Sequence, residues 1–411
     1  MIYNTPGRYG DLKKFVVTID GKDVSDAVLA AQIFQDIFTP TWSCQINFND
    51  TTNLLMTLPI KVGSKVTIDI ATENNSPGDG EKEFEFTIYR IGDKQFQNHM
   101  QQTYTVFCAD QAFLDNQTKR VQRSFSNMKS TDAVQQLVSQ YFEGGFVDTV
   151  PSDNSIHVII PNWTPFIAAS WLVKVALKDG AADYVFFQRD NDQWIMKPSE
   201  FLYSDDSEST GITFQQAPGE LKSNGEYVYD YSLNILDFQF EHFDAVANLS
   251  SGYYKNTLAS YDVINKSWGT KVFTYGDDSP LDKSVKTWDN PVFSDGAENA
   301  NISFMPKHPG MAKTQTVVDN ADIWQTSRKS AIQKLDQEKL LIQTPGNAGA
   351  YQWIGKNCQV KLPSHEDMTG ETYDKQRQGR YLIVAIAHML NKDSYVCNFE
   401  MIKKRLEESL T

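Results

Sequence analysis

Histidine, cysteine and carboxylate groups are the side chains that do proton transfer, nucleophilic attack and metal binding, and their spacing in this chain suits none of these. The six histidines, His99, His157, His242, His308, His365 and His388, include no pair four residues apart, so the two-imidazole helix face of a zinc hydrolase is missing. His388 follows an apolar strand and reads as a structural side chain. Cys44, Cys108, Cys358 and Cys397 lie far apart without metal-ligand or paired spacing, and read as buried reduced thiols. Asp190-Asn191-Asp192 lacks the glycine and the later bidentate glutamate of a calcium loop, so a hairpin turn is expected there, and Asp277-Asp278 reads the same way. Among 52 acidic residues many carboxylate pairs could serve glycoside hydrolysis, and spacing singles out none. There is no GxGxxG, P-loop, HExxH or GxSxG motif. No catalytic, cofactor-binding or metal residue is therefore assigned, and no cofactor is expected. The matches Asn49-Asp50-Thr51 and Asn162-Trp163-Thr164 to glycosylation acceptors carry meaning only in a secreted chain.

Composition narrows the field in the same direction. The 411 residues suffice for two to four domains, and 40% apolar with 22% charged residues is the mix of a folded globular chain. A net charge of −14 argues against a basic surface that grips phosphate. The longest apolar runs, Phe166 to Leu177 and Tyr381 to Leu390, are shorter than the roughly 18 residues that span a bilayer. Met1 to Lys14 has no apolar signal region, so cytosolic synthesis is expected.

The elements that would position any site are mostly strands. Phe15 to Ile19 leads into the turn pair Asp20-Gly21, and Ser43 to Phe48, Lys65 to Ile70, Phe84 to Tyr89 and Thr103 to Phe107 alternate apolar with polar, as half-buried antiparallel strands do. Glu73 to Lys82 reads as an exposed loop. The period then becomes helical. Ala133, Val134, Leu137, Val138, Tyr141 and Phe142 share a face behind Ser130 or Thr131 as cap, and Thr164-Pro165 starts a second helix through Ala176. Tyr184 to Phe187 and Trp194 to Met196 form a hairpin, and Ser204 to Ser209 reads as a solvated acidic linker. Alternation returns at Tyr227 to Phe243. An irregular stretch follows in which Tyr253, Tyr254, Trp268, Tyr275 and Trp288 offer either a contact surface or core packing. Asn320 or Asp322 then caps a helix carrying Trp324, Arg328, Ala331 and Leu335, and strands resume at Leu340-Ile342, Gln359-Leu362, Arg380-Ile386 and Tyr395-Met401.

Self-similarity adds the most specific signal. Ile60 to Ile68 resembles Gln352 to Val360 about Gly63 and Gly355, and Gln102 to Phe107 parallels Asp393 to Phe399 through Tyr104 and Tyr395, at Gly-to-Tyr spacings of 104 − 63 = 41 and 395 − 355 = 40. Two copies of one β-barrel module are expected, against the alternative of a chance match between common strand-turn patterns. The fold class is then a β-dominated α+β chain: two tube-like antiparallel β-barrel domains, a small α+β domain and an inserted irregular β domain. The expected units are residues 1–110, 111–205, 206–248 with 338–411, and the insertion 249–337.

These residues resemble the baseplate central hub proteins of contractile-tailed bacteriophages, which are related to the N-terminal hub region of type VI secretion spike proteins. The resemblance lies in Met128 to Val134, Ile160 to Phe166, Tyr184 to Phe187, and Gly379 to Ile383 with His388, in that order, and is weakest in the insertion. It implies a non-enzymatic structural protein of the virion tail baseplate, assembled in the host cytoplasm. The partners implied are two further copies in a homotrimeric ring, the central spike protein, which can carry a lysozyme, the tail tube protein, and the wedge and tape-measure proteins. Two tube-like domains in each of three subunits would match a sixfold tube, with DNA passing through the lumen without specific binding and with no membrane insertion. A trimer charge of 3 × −14 = −42 would suit such a conduit. The competing readings are a carbohydrate-binding or carbohydrate-degrading tail β-protein, and the hub of a tailocin or secretion machine.

Overall fold

A computed structural model of the chain describes residues 12–58, 60–72, 80–98, 101–216, 233–241, 244–263, 266–274, 301–306, 321–335, 339–363, 374, 377–392 and 394–404. His99, His242, His308, His365, Tyr275, Asp277, Asp278, Trp288, Asn320 and most of the Glu73 to Lys82 stretch lie outside these residues. The first strands are β1 (Leu12–Ile19), β2 (Lys22–Asp23), β3 (Val28–Asp36) and β4 (Ser43–Asp50). A single helical turn, α1 (Leu54–Thr57), precedes β5 (Lys65–Thr72), β6 (Glu81–Asn98) and β7 (Gln101–Ala109). Their alternation buries one side: Cys44, Ile46 and Phe48 on β4 face the core while Gln45, Asn47 and Asn49 do not. Asp20 and Gly21 both take positive φ, 48° and 77°, which is the turn that joins two twisted strands most tightly.

Next come α2 (Gln111–Thr118), β8 (Val121–Lys129), α3 (Ser130–Tyr141), β9 (Phe146–Thr149), β10 (Ser155–Trp163) and α4 (Pro165–Val175). The hairpin β11 (Tyr184–Asp190) and β12 (Gln193–Pro198) follows, then α5 (Ser199–Ser204). The helices bury their expected faces around Phe142, Phe166 and Trp194, the first two rings stacked at 4.6 Å. The cap expected for α3 fails, for a geometric reason, whereas Thr164 does occupy the capping position of α4. Chain leaving β8 reaches α3 directly, so Lys129 occupies the capping position and Ser130 and Thr131 fall inside the first turn. The Thr164 hydroxyl has no partner among the described residues; Asn116 on α2 accepts from the Phe166 amide at 2.8 Å instead.

The expected solvated linker is corrected at Glu208 alone, since Ser204, Asp206, Ser207 and Ser209 are exposed. Glu208 is buried between Lys197 (2.5 Å) and Arg189 (3.0 Å), and Asp206 meets Arg380 at 2.8 Å. Composition cannot foresee basic partners that arrive from distant strands. Beyond it run β13 (Ser209–Gln215), β14 (Asp237–Glu241), α6 (Ala245–Ser251), β15 (Lys255–Asp262), β16 (Ser267–Thr274), β17 (Ile302–Pro306) and α7 (Ala321–Lys334). The stretch expected to be irregular therefore holds a three-stranded sheet, β16-β15-β17. Helix α7 inserts Trp324 into the core around Trp194, and Arg328 donates to the carbonyls of Ala182 (3.2 Å) and Tyr184 (3.0 Å). The last strands are β18 (Lys339–Pro345), β19 (Asn357–Lys361), β20 (Gly379–Asn391) and β21 (Tyr395–Ile402).

Both tube-like halves share one 13-stranded sheet. The first runs β3-β4-β7-β6-β5-β1 and the second β14-β18-β21-β20-β19-β13, the same order for the same succession along the chain. Gly63 N–H donates to the Ile88 carbonyl and Ile88 N–H to Ser64, just as Gly355 donates to Ile383 and Ile383 to Lys356. A register shift then follows Ile88 and Ile383 alike. The glycine match read from sequence is thus structural. The second match is not in register: Cys108 opposes Ile88 and Met401 opposes Ile383, which places Tyr104 level with Cys397 rather than Tyr395.

Candidate assembly surface

With no chemical motif to build from, the functional surface has to be sought where strands leave polar faces and edges. One side of the shared sheet packs on a single apolar core that includes Val185, Phe187 and Leu202 from the middle of the chain. The other side is open. In the first half it carries Gln32, Gln45, Asn47, Asn49, Thr103 and Thr105, with Thr105 Oγ1 donating to Asn47 Oδ1 (2.9 Å) and Gln101 Nε2 to Asn49 Oδ1 (2.8 Å). The second half repeats the device at the matching position, where Gln343 Nε2 donates to Asn398 Oδ1 at 3.1 Å. Its cation Lys339 pairs with Glu400 at 2.9 Å. Burial and the nearby Glu400 carboxylate hold Asp36 above the usual carboxylate range. Across β3, β4, β7 and residues 385–391 of β20 this face has no lysine or arginine; neutral amides and hydroxyls share it with Phe34, Phe107 and Met389, and Arg90 of the adjoining β6 stacks over Phe107 at 4.4 Å.

The two halves meet where β3 pairs antiparallel with residues 385–391 of β20, Gln32 opposite Met389 and Ala31 opposite Leu390. A polar cluster lies beneath this seam. His388, fully buried, has Nδ1 2.7 Å from the Tyr395 hydroxyl and Nε2 3.3 Å from Gln35 Oε1, while Gln35 Nε2 donates to the Tyr351 carbonyl at 3.2 Å. The Tyr395 hydroxyl is also 2.9 Å from the Asn347 carbonyl oxygen. Burial drives the His388 pKa down to about 3, so the ring is neutral and serves as a hydrogen-bonding post.

Other residues singled out from the sequence do not converge. Asp190 to Asp192 form the β11–β12 turn, with Asp190 accepting Lys82 at 2.6 Å. All four cysteines are buried and free. Tyr253 and Tyr254 are buried against one another at 5.0 Å, whereas Trp268 is 65% exposed. His157 pairs with Ser126 at 3.1 Å, far along the chain from His388. Among the described residues no three potential metal ligands cluster and no helix is long and apolar enough to cross a membrane.

What sequence reasoning missed are two strand edges. Residues 81–87 of β6 pair with β5 and residues 87–98 pair with β7 on the opposite side. From Arg90 onward the β5-side edge of β6 has no strand beside it among the described residues. It carries Phe96, 75% exposed, with Lys94 over its ring. At the far end of the sheet, β14 pairs only with β18 among the described residues. The signal was present in the length of the charged, aromatic stretch Tyr89 to Gln97.

No protein-family model and no curated protein matches the sequence. Solved structures do match in shape. A tail protein from Neisseria meningitidis MC58 superposes with a TM-score of 0.57 at 13% identity, covering 95% of this chain and 97% of that one. The 43 kDa tail protein of prophage MuSo2 from Shewanella oneidensis gives 0.58 at 12% identity, covering 95% and 98%. The fold is therefore shared with these two tail proteins over nearly the whole chain, which supports, at the level of fold, the resemblance read from the sequence.

Proposed function

We propose that the chain is a structural, non-enzymatic baseplate hub of a phage tail. Three copies form a ring in which residues 1–110 and residues 206–248 with 338–411 alternate as six similar units. Residues 111–205 and the insertion 249–337 sit around them. The observation that carries this reading is the repeated six-strand order joined inside one chain by the β3–β20 seam. A unit that joins to its own duplicate with a fixed rotation can go on to join the next chain in the same way, and such head-to-tail contacts close into a ring. Six near-equivalent units present a sixfold face to a tail tube, while the true threefold symmetry remains for a trimeric spike. Because the core side of the sheet is covered, the amide and hydroxyl face lines the lumen. With no lysine or arginine on β3, β4, β7 or residues 385–391 of β20, that stretch of the wall gives DNA little to hold it.

The solution mass, measured with negative-stain images of the particle, tests this. A mass of three chains and ring-shaped particles with six lobes are expected. A protein that stays monomeric at every concentration and yields no rings overturns it.

A further inference from the structure

We infer that β14 of one subunit pairs antiparallel with residues 92–97 of β6 in a second copy of this chain, with Phe238 opposite Phe96 and Gln239 opposite Gln95. The inference rests on the ring reading and adds the contact that would build it. It follows from matching the halves residue by residue. With Ile88 equivalent to Ile383, Cys108 matches Met401, and the partners across the sheet follow: Cys44 matches Leu340, and Asn47 with Thr105 matches Gln343 with Asn398. One strand further out, Gln32 and Ala31 oppose Gln45 and Ile46, as Gln239 and Phe238 oppose Leu341 and Ile342. So β14 is the counterpart of β3. Likewise Gln95 and Phe96 oppose Thr103 and Gln102, as Met389 and Leu390 oppose Val396 and Tyr395. The end of β6 is the counterpart of the end of β20.

Inside the chain those counterparts are paired, Gln32 to Met389 and Ala31 to Leu390. Between chains the same junction places Gln239 on Gln95 and Phe238 on Phe96. Chemistry agrees with the register. Phe96 is a large apolar ring on an otherwise polar, exposed strand, and the pairing sets it against the half-buried Phe238. Aromatic pairs across neighbouring strands are among the more stabilising cross-strand contacts. The outward groups of β14 include Asp237 and Glu241, and the end of β6 brings Arg90 and Lys94 to the same neighbourhood. An exposed edge of this kind invites another chain unless it is covered.

Cysteine cross-linking of the full chain tests the pairing, and the four native thiols are buried. The double variant Gln95→Cys with Gln239→Cys should form covalent trimers on oxidation, while Gln32→Cys with Gln239→Cys should not. Separately, Phe96→Asp should weaken association at least tenfold by light scattering, with an unchanged circular dichroism spectrum and melting curve. Trimers that form without the 95–239 cross-link, or that tolerate Phe96→Asp, overturn the pairing and leave the ring reading intact. Cross-linked open chains of other sizes keep the pairing and overturn the threefold ring. A monomer at every concentration overturns both.

Discussion

The two halves of the sheet follow one plan and put it to opposite uses. In the first half β1 lies antiparallel to β5; in the second β13 lies parallel to β19. A tight connection joins β3 to β4, whereas the corresponding link from β14 to β18 spans residues 242–338 and contains α6, the three-stranded sheet and α7. The glycine bend shows the contrast at atomic scale. A side chain at Gly63 would meet nothing within 4 Å, but one at Gly355 would lie 2.2 Å from the Phe187 ring. The second half is the anchor on which the middle of the chain is packed. The first half meets the same β11–β12 hairpin elsewhere, with the Trp42 indole donating to the Gln188 carbonyl and Lys82 pairing with Asp190, and leaves its own glycine bend open. A duplicated module thus specialises through what is packed on it, while its own strand order stays unchanged.

The contrast can be broken most forcefully at that glycine. Gly355→Ala combines a ring clash with a φ of +68° and should cost about 4 kcal/mol in denaturant unfolding, against about 1 kcal/mol for Gly63→Ala. Similar costs at both sites would show that the two bends are equally free. Charge gives the next largest difference. Glu208→Ala leaves Arg189 buried without its carboxylate and should cost about 3 kcal/mol, at the low end for a broken buried pair because Lys197 keeps Asp148 at 2.5 Å. In the first half, Asp69→Ala removes only the half-exposed partner of Lys14 and should cost under about 1 kcal/mol.

His388 has no counterpart in the first half, where the matching position falls in the irregular stretch between Gly92 and Gln95. Its folded pKa of about 3 lies below the usual 6.5, so protons favour the unfolded chain. Stability is full above about pH 6.5 and declines as pH falls towards 3. At pH 4.5 the loss attributable to this ring is about 2–3 kcal/mol. Comparing urea unfolding of the native chain and His388→Gln between pH 7 and 4.5 isolates it, and equal slopes would refute the assignment. The smallest effect should be symmetrical. Asn47→Ala and Gln343→Ala each remove one matched open-face hydrogen bond and should each cost about 1 kcal/mol or less, by equal amounts.

Much of this was legible in the sequence, and the failures have identifiable causes. Strand alternation and the Gly63 and Gly355 bends could be read because each depends on neighbours along the chain. The Tyr104–Tyr395 match slipped by two residues because a strand repeats its facing every two; Tyr104 and Tyr395 are both core residues, and a slip of two keeps every side chain on its proper face. Glu208 reads as a linker acid in the sequence because Arg189 and Lys197 approach it only in three dimensions. The β3–β20 seam joins segments some 350 residues apart, a separation at which local pattern carries no information. The open strand edges, which carry the proposed ring contact, escaped for the same reason.

That separation also orders events in time. Residues 28–36 leave the ribosome long before residues 379–391, so β3 must wait with one side unpaired until most of the chain has been made. Non-local pairing of this kind is slow and exposes the nascent chain to wrong partners, including the β3 edge of another unfinished copy. When β20 arrives it closes that vulnerable edge within its own chain. The seam thus works as a completion check, in which self-pairing takes the edge out of competition before subunits begin to associate.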